Sequence, residues 1–386
     1  MDLFSAYLDD HGPARAGPFF WARRIMNTAA WTRNTEEWLL AMSAPLPVAT
    51  GRGAPAAPPG NCADLLDAFT LHRTAPIALR RMGSFPQLRE SMEPALRAAQ
   101  TRNVALAFAS VADIANVGEA LDAIDVPWCV LKGVPLAMRH YGDPAARRVG
   151  DIDLLVVPDA VHQADAALLG AGCRRAGSEQ HAPLPAPRYW HEQQYITAGG
   201  LGLELHHRLH PNPRFFPVAT DDLLAEADRV SLGGLLVPVL APVTELLYLC
   251  THGSRHAWFR LLWICDIAAI ATRAPAGFLD AAHVQAKRLG VLHPLAEGLL
   301  LAEALLGAPA IDWAHTLQAR SARLRYLLRH AQESLWSARD ALGNPVGREH
   351  SSLLAALCQR VGPGFWAWEL GLRMRHEWLH RQQVPA

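Results

Sequence analysis

Apolar residues in the stretch "VALAFASVADIANVGEALDAI" return every three or four positions, and this helical period holds from Asn61 to about Asp125. After that the spacing tightens. "VPWCVL", residues 126 to 131, is a short apolar run with β-branched and aromatic side chains and predicts a strand. "VPLAMRHY" returns to helical spacing, and "DIDLLVV", residues 151 to 157, is strand-like again. "PDAVHQADAALLGAG" predicts a helix, with Pro158 and Asp159 at its start and Gly170 and Gly172 at its end. "YWHEQQYIT" and "LGLELHHRL" flank "AGG" and predict a hairpin closed by a glycine turn. "VSLGGLLVPVLAPVTELLYLC" is broken by Gly233, Gly234, Pro238 and Pro242, so it predicts a strand, a turn and a helix start rather than a membrane span. Beyond Pro242 the pattern is helical down to the Trp-rich "FWAWELGLRMRHEWLH".

These elements predict an α+β protein: a small mixed β-sheet core over residues 126–240, a helical lead-in over 61–125 and a C-terminal helical domain over 241–386. Residues 1–60 form a separate N-terminal segment ending in "PLPVATGRGAPAAPPG", whose Pro, Ala and Gly content predicts a linker. No internal repeat is visible.

Composition narrows the function. A chain of 386 residues with 51% apolar content can bury a substantial core. Its formal charge is zero, so non-specific nucleic-acid binding is not expected. The six cysteines are scattered without a CxxC pair, which suits reduced thiols and a cytoplasmic setting. The opening "MDLFSAYLDDHG" has no basic-then-apolar run, so no secretion signal is expected.

The candidate chemistry lies in "RRVGDIDLLV". On a strand, Asp151 and Asp153 share one side, roughly 7 Å apart, while Ile152, Leu154 and Val156 face the other. Two like charges so placed need a cation between them, and hard oxygen ligands suit Mg²⁺, with Mn²⁺ as the alternative. The second hairpin strand repeats the pattern: Leu203 and Leu205 face inward, and Glu204 faces out with Gly202 and His206. Three acids on one sheet face fit phosphoryl or nucleotidyl transfer. Taken alone, a D-x-D at a strand edge is most often a solvated loop or cap. Arg147 and Arg148, just ahead, are candidates to clamp a phosphate. On the helix after Pro242, His252, Arg255, His256, Phe259, Arg260 and Trp263 fall on one face, suited to phosphate contact and base stacking or simply to a core edge. Asp266 is expected to be a structural partner of one of these bases. "ELHHRLH" invites a zinc site, but residues four apart on a strand do not converge, so zinc through His206 and His210 is not expected.

"VLKGVPLAMRHYGDPAARRVGDIDLLV", with "LGLELHHRL" further on, resembles the nucleotidyltransferase superfamily that includes DNA polymerase beta. It is more similar still to a bacterial branch of uncharacterised nucleotidyltransferases, whose downstream helical signature "ELLYLCTHGSRHAWFRLLWICDIA" resembles. The resemblance runs from about Val126 to Ala268. It implies that Gly133 ends the first strand beside the triphosphate, that Asp151 and Asp153 bind metal, and that Glu204 is the third carboxylate and helps activate the acceptor hydroxyl. The superfamily often has Gly-Ser or Gly-Gly where this chain has Gly133-Val134, so a hydroxyl donor is missing and Lys132 is the candidate replacement.

The expected function is therefore a Mg²⁺-dependent transfer of a nucleoside monophosphate from an NTP to a hydroxyl of an unknown acceptor, a peptide or a small molecule. The expected catalytic and metal residues are Asp151, Asp153 and Glu204. The nucleotide-binding residues are Lys132, Gly133, Arg147, Arg148, His252, Arg255 and His256. A silent relative that binds a nucleotide or partner, and a kinase-like phosphotransferase, are the competing readings.

Overall fold

The computed structural model describes residues 32–45, 55, 59–176, 190–337 and 353–383, with side chains described as far as residue 375. Residues 1–31 and most of the Pro, Ala and Gly-rich stretch lie outside them. Within the expected N-terminal segment a helix stands that the sequence reading did not anticipate, α1 (Arg33–Ser43). The Thr32 hydroxyl caps it by accepting from Thr35 N at 3.3 Å, and Trp38, Leu39 and Met42 are buried. The helical lead-in resolves into α2 (Cys62–Leu71), α3 (Ala75–Arg81) and the long α4 (Arg89–Asp122).

Among the described residues the sheet has seven strands, in the order β3-β4-β5-β2-β1-β7-β6. They are β1 (Trp128–Val130), β2 (Ile152–Val156), β3 (Arg174–Arg175), β4 (Glu192–Ile196), β5 (Gly202–His206), β6 (Asp228–Leu232) and β7 (Leu235–Val239). The sheet is mixed: β2 runs antiparallel to β1 but parallel to β5, and β1 runs parallel to β7. The expected hairpin is β4-β5. After β6 the chain turns at Gly233 and Gly234, both at positive φ, into a second strand, β7, that the sequence reading had passed over. Between the strands lie α5 (Val134–Tyr141), α6 (Val161–Gly170) and α7 (Thr220–Ala225).

Alternation along the central strands divides the interior in two. Val130, Ile152, Leu154, Leu203 and Leu205 face a core shared with Ile114, Val117 and Leu121 of α4 and with Val161 and Leu168 of α6. Cys129, Leu131 and Leu155 face the other core. That second core gathers α1 to α3 together with α8 (Pro242–Arg255), α9 (Leu261–Arg273), α10 (Phe278–Leu289), α11 (Leu292–Leu306), α12 (Asp312–Arg320) and α13 (Ala322–Trp336). Two further helices follow, α14 (Leu353–Gln359) and α15 (Pro363–Gln383).

The segment Pro86–Asp122 is long and apolar enough to cross a membrane by length and composition. In the fold it lies on the sheet, and its polar residues tie down loops. Asn103 donates to Ala145 O at 3.0 Å and to Arg147 O at 2.9 Å, and accepts from Val149 N at 2.8 Å, fixing the approach to β2.

The helix expected to run unbroken from Pro242 past Trp263 instead ends at Arg255 and restarts at Leu261. Ala257 and Trp258 sit between at positive φ. Burial explains the break. Trp258 is 0% exposed and lies so close over Gly253 of α8 and Gly298 of α11 that a Cβ on either would come within 2.3 Å and 3.0 Å of the indole. A continuous helix would carry the indole away from both.

Glu297, beside Gly298, is buried and accepts from the Ser254 hydroxyl at 2.6 Å. Burial pushes its carboxyl up to about 7, against the pull of the Ser254 and Trp258 donors. A carboxyl whose folded value lies above its unfolded one holds its proton more tightly in the native state. Its contribution is greatest below the unfolded value, near 4.5, and is lost as pH rises to about 7. Glu297→Gln cannot ionise. Its stability relative to the wild type should improve by on the order of 3 kcal/mol between about pH 5 and about pH 8, measured by denaturant titration at both.

Candidate active site

Strands β2 and β5 pair in parallel with Asp153 opposite Glu204, so both carboxyls leave the same face of the sheet from adjacent strands. Two residues on, His206 emerges on that face as the cross-strand partner of Glu192 of β4. Asp153 is 1% exposed and His206 4% exposed. Nε2 of His206 stands 3.4 Å from Asp153 Oδ1 and 3.3 Å from Glu204 Oε2, and its Nδ1 stands 3.5 Å from Glu192 Oε2. One ligand atom from each of Asp153, Glu204 and His206 lies within 4.8 Å of the others, and the same holds for His191, Glu192 and His206. Asp153 Oδ2 is buried without a hydrogen-bond partner. An orphaned carboxylate oxygen beside a second carboxylate fits a divalent cation, with oxygen and nitrogen donors available.

The first strand brings up the cation side. Leu131 N donates to Asp153 O at 2.9 Å, and the next residue, Lys132, places Nζ 3.0 Å from Asp153 Oδ1. Gly133 follows at φ +87°, the left-handed region that favours glycine, and α5 starts directly after it. A Cβ there would sit at an ordinary 3.8 Å from Asp151 O, so the backbone turn, not lack of room, calls for glycine. Asp151 lies one residue before β2, exposed, and its carboxyl is not among those gathered with Asp153 and Glu204.

The expected phosphate clamp departs further from expectation. Arg147 is buried, and its Nε and Nη2 donate to Asp266 Oδ1 at 3.1 Å and Oδ2 at 2.9 Å, while the Tyr141 hydroxyl donates to the same carboxylate at 2.9 Å. The guanidinium fork is thus closed on α9 rather than open to a ligand. Arg148 is half-buried. His252 and Arg255 belong to α8, His256 caps its end, and Trp263 belongs to α9. The rings nevertheless cluster: His252 lies 4.8 Å from His256 and 5.1 Å from Trp263, and Phe259 lies 4.8 Å from Trp263, centroid to centroid. The stripe is assembled from two helices and the turn joining them. Arg139 and His140 of α5 fix α8 beside the sheet, at 3.3 Å and 2.5 Å from Glu245 Oε2.

A family model described as uncharacterised nucleotidyltransferase matches residues 58–307, from just before α2 to the end of α11. The chain belongs to this nucleotidyltransferase family. No curated protein matches it.

The electrostatics of this sheet face follow from burial set against close charges. Burial opposes ionisation of Asp153, but Lys132 and His206 outweigh it and hold the carboxyl below its usual range. Burial likewise pulls Lys132 down, and Asp153 more than restores it. His206 is also disfavoured by burial, yet Asp153, Glu204 and Glu192 push its imidazole up to about 10. Glu204 goes the other way: burial, reinforced by Asp153 and Glu192 and opposed by His206, pushes its carboxyl up to about 7. Across the site, burial and the nearby Lys132 hold His252 well below the ordinary histidine range, so it is a neutral imidazole.

Four residues of the site were absent from the expected set. His191, Glu192 and His206 stand on the face that holds Asp153 and Glu204, and buried Tyr248 of α8 lies within electrostatic reach of Lys132, Asp153 and Glu204. His206 had been placed beside Glu204 by alternation but considered only for zinc with His210. His210 is elsewhere, its Nε2 2.8 Å from Thr251 Oγ1 and its ring against Phe215.

Proposed function

We propose that this chain is a Mg²⁺-dependent nucleotidyltransferase that moves a nucleoside monophosphate from an NTP to an acceptor hydroxyl, with pyrophosphate leaving. The observation that carries the reading is the in-register pairing of Asp153 and Glu204, with an orphaned carboxylate oxygen between the strands. Asp153 and Glu204 would hold the cation, with Asp151 at the exposed rim. A bound Mg²⁺ supplies charge neutralisation for the phosphates and acidifies the attacking hydroxyl. Glu204, pushed up to about 7, is suited to take the acceptor's proton. Lys132 and the turn at Gly133 face the triphosphate. The His252, His256 and Trp263 cluster offers a stacking surface for the base. Arg255 lies on the same side, its charge felt by Glu192. With zero formal charge on the chain, the acceptor assigned is a peptide or small molecule in the cytoplasm rather than a nucleic acid.

Incubating the purified chain with Mg²⁺, cell extract and NTP labelled at either the α- or the γ-phosphate tests the reaction. Product labelled only from the α-position supports the proposal. Labelling only from the γ-position makes it a phosphotransferase, and none from either removes the enzymatic reading.

One contact favours a second reading. Lys132 Nζ already sits 3.0 Å from Asp153, so a protein cation serves that carboxylate. In a silent nucleotide-binding relative that pair would be final, and calorimetry would show nucleotide binding equal with and without Mg²⁺.

The proposal also fixes a pH dependence. A cation needs Glu204 ionised, and that carboxyl is charged only above about 7. Proton loss from His206, held up to about 10, acts in the same direction. Mg²⁺ affinity measured by titration calorimetry should therefore fall as pH drops through 7, and a flat profile between about pH 8 and about pH 5.5 contradicts the assigned ligands.

A further inference from the structure

His206 has two faces, and the carboxylate pair accounts for one. Nε2 points at Asp153 and Glu204, at 3.4 Å and 3.3 Å. Nδ1 points away from them, 3.5 Å from Glu192 Oε2. Glu192 Oε2 in turn stands 3.0 Å from His191 Nε2. Both nitrogens of His206 are buried, and neither makes a well-formed hydrogen bond. Three carboxylates already surround the ring, two at Nε2 and one at Nδ1, so a cation at Nδ1 would take the place of a proton that Glu192 faces.

The geometry points to a second cation position beside the carboxylate pair, built by His191 Nε2, Glu192 Oε2 and His206 Nδ1, taking a transition-metal dication rather than Mg²⁺. Three facts carry this assignment. One ligand atom from each of the three residues lies within 4.8 Å of the others, and Glu192 Oε2 stands 3.0 Å from His191 Nε2 and 3.5 Å from His206 Nδ1. Two of the three are imidazoles, which Zn²⁺ and Co²⁺ accept and which Mg²⁺, a hard ion, avoids. Occupancy at Nδ1 leaves the His206 proton on Nε2, where it donates to Asp153 or Glu204. A metal-bound histidine whose other nitrogen donates to a carboxylate is the arrangement that orients such ligands. The Mg²⁺-binding acids would then orient the ligand of the second site, and the two positions would share one ring. His191 and Glu192 are half-buried, which leaves an approach from solvent. Arg255 lies close enough to oppose a cation there, but its charge is also shared with Glu369 of α15.

This second position rests on the hairpin register and is independent of whether nucleotide transfer occurs. Its test reads metal binding in the full chain stripped with chelator. Co²⁺ is the probe, titrated by visible absorption with Mg²⁺ present in large excess. We expect one equivalent of Co²⁺ with the absorption of an imidazole-bearing site, and an affinity about 100-fold weaker in His191→Ala and in Glu192→Gln. In Asp153→Asn, which removes a carboxylate of the first position but leaves Glu204 to accept from His206 Nε2, Co²⁺ affinity should fall clearly less than in either of those variants. Circular dichroism confirms the fold of each variant, and if His191→Ala is unfolded, Glu192→Gln decides alone. The assignment is overturned if excess Mg²⁺ displaces Co²⁺, if the folded His191 or Glu192 variants keep wild-type affinity, or if Asp153→Asn loses Co²⁺ as severely as they do. Failure of the labelling experiment leaves every one of these outcomes readable.

Discussion

Asp153→Asn should cut nucleotide transfer by about three orders of magnitude, close to 4 kcal/mol of transition-state stabilisation, while the chain stays folded. Asparagine keeps the size of the side chain and one acceptor oxygen, so β2 can keep its pairing with β5. What disappears is the charge that, with Glu204, would hold a dication against the phosphates. The expected loss is in kcat, since negative charge grows on the departing pyrophosphate in the transition state and a cation held by Asp153 and Glu204 would offset it. Lys132 loses its closest anion, and a modest fall in the thermal midpoint should accompany the change. Steady-state kinetics with α-labelled NTP, run beside a melting curve, separates the two effects. Activity within tenfold of the wild type in a folded variant would sink the assignment of Asp153.

The largest stability change should come from a residue that touches no ligand. Asp266→Ala leaves the Arg147 guanidinium buried without its anion, and the Tyr141 hydroxyl without its acceptor. Removing one partner of a buried pair in this way costs about 3–5 kcal/mol. Replacing both groups by apolar residues should cost much less, because nothing charged is then stranded. Urea unfolding of Asp266→Ala and of the double variant Arg147→Met, Asp266→Leu measures the difference. If the single variant is as stable as the double, Arg147 finds another anion, and a phosphate-facing role for it returns to consideration.

The shared face of Asp153 and Glu204 was legible because β-strand alternation is strict. Asp153 and Glu204 could be placed on one face, and that face opposite Leu154 and Leu205, from the sequence alone. The same rule carried enough information to find Glu192. A hairpin closed around "AGG" pairs it with His206, but the register of a five-residue loop cannot be counted without seeing where the pairing ends. Arg147 was misread for a different reason. Its partner Asp266 lies 119 residues away, and no local pattern announces such a pair. The break at Ala257 and Trp258 was equally silent, since neither residue favours the left-handed region and the glycines that demand it are in other turns of helix. Two-residue β3 has no periodicity to read.

The placement of α1 matters to anyone who would cut the protein down. The family model matches residues 58–307, and α1 precedes that range, yet Trp38, Leu39 and Met42 are almost wholly covered, packed in one core with helices of the matched range. The stretch that the family model matches is therefore shorter than the stretch that packs together. A fragment beginning at residue 58 and otherwise entire would bare a greasy trough over α9 and α11 and should self-associate in light scattering, whereas one beginning before Thr32 should remain dispersed.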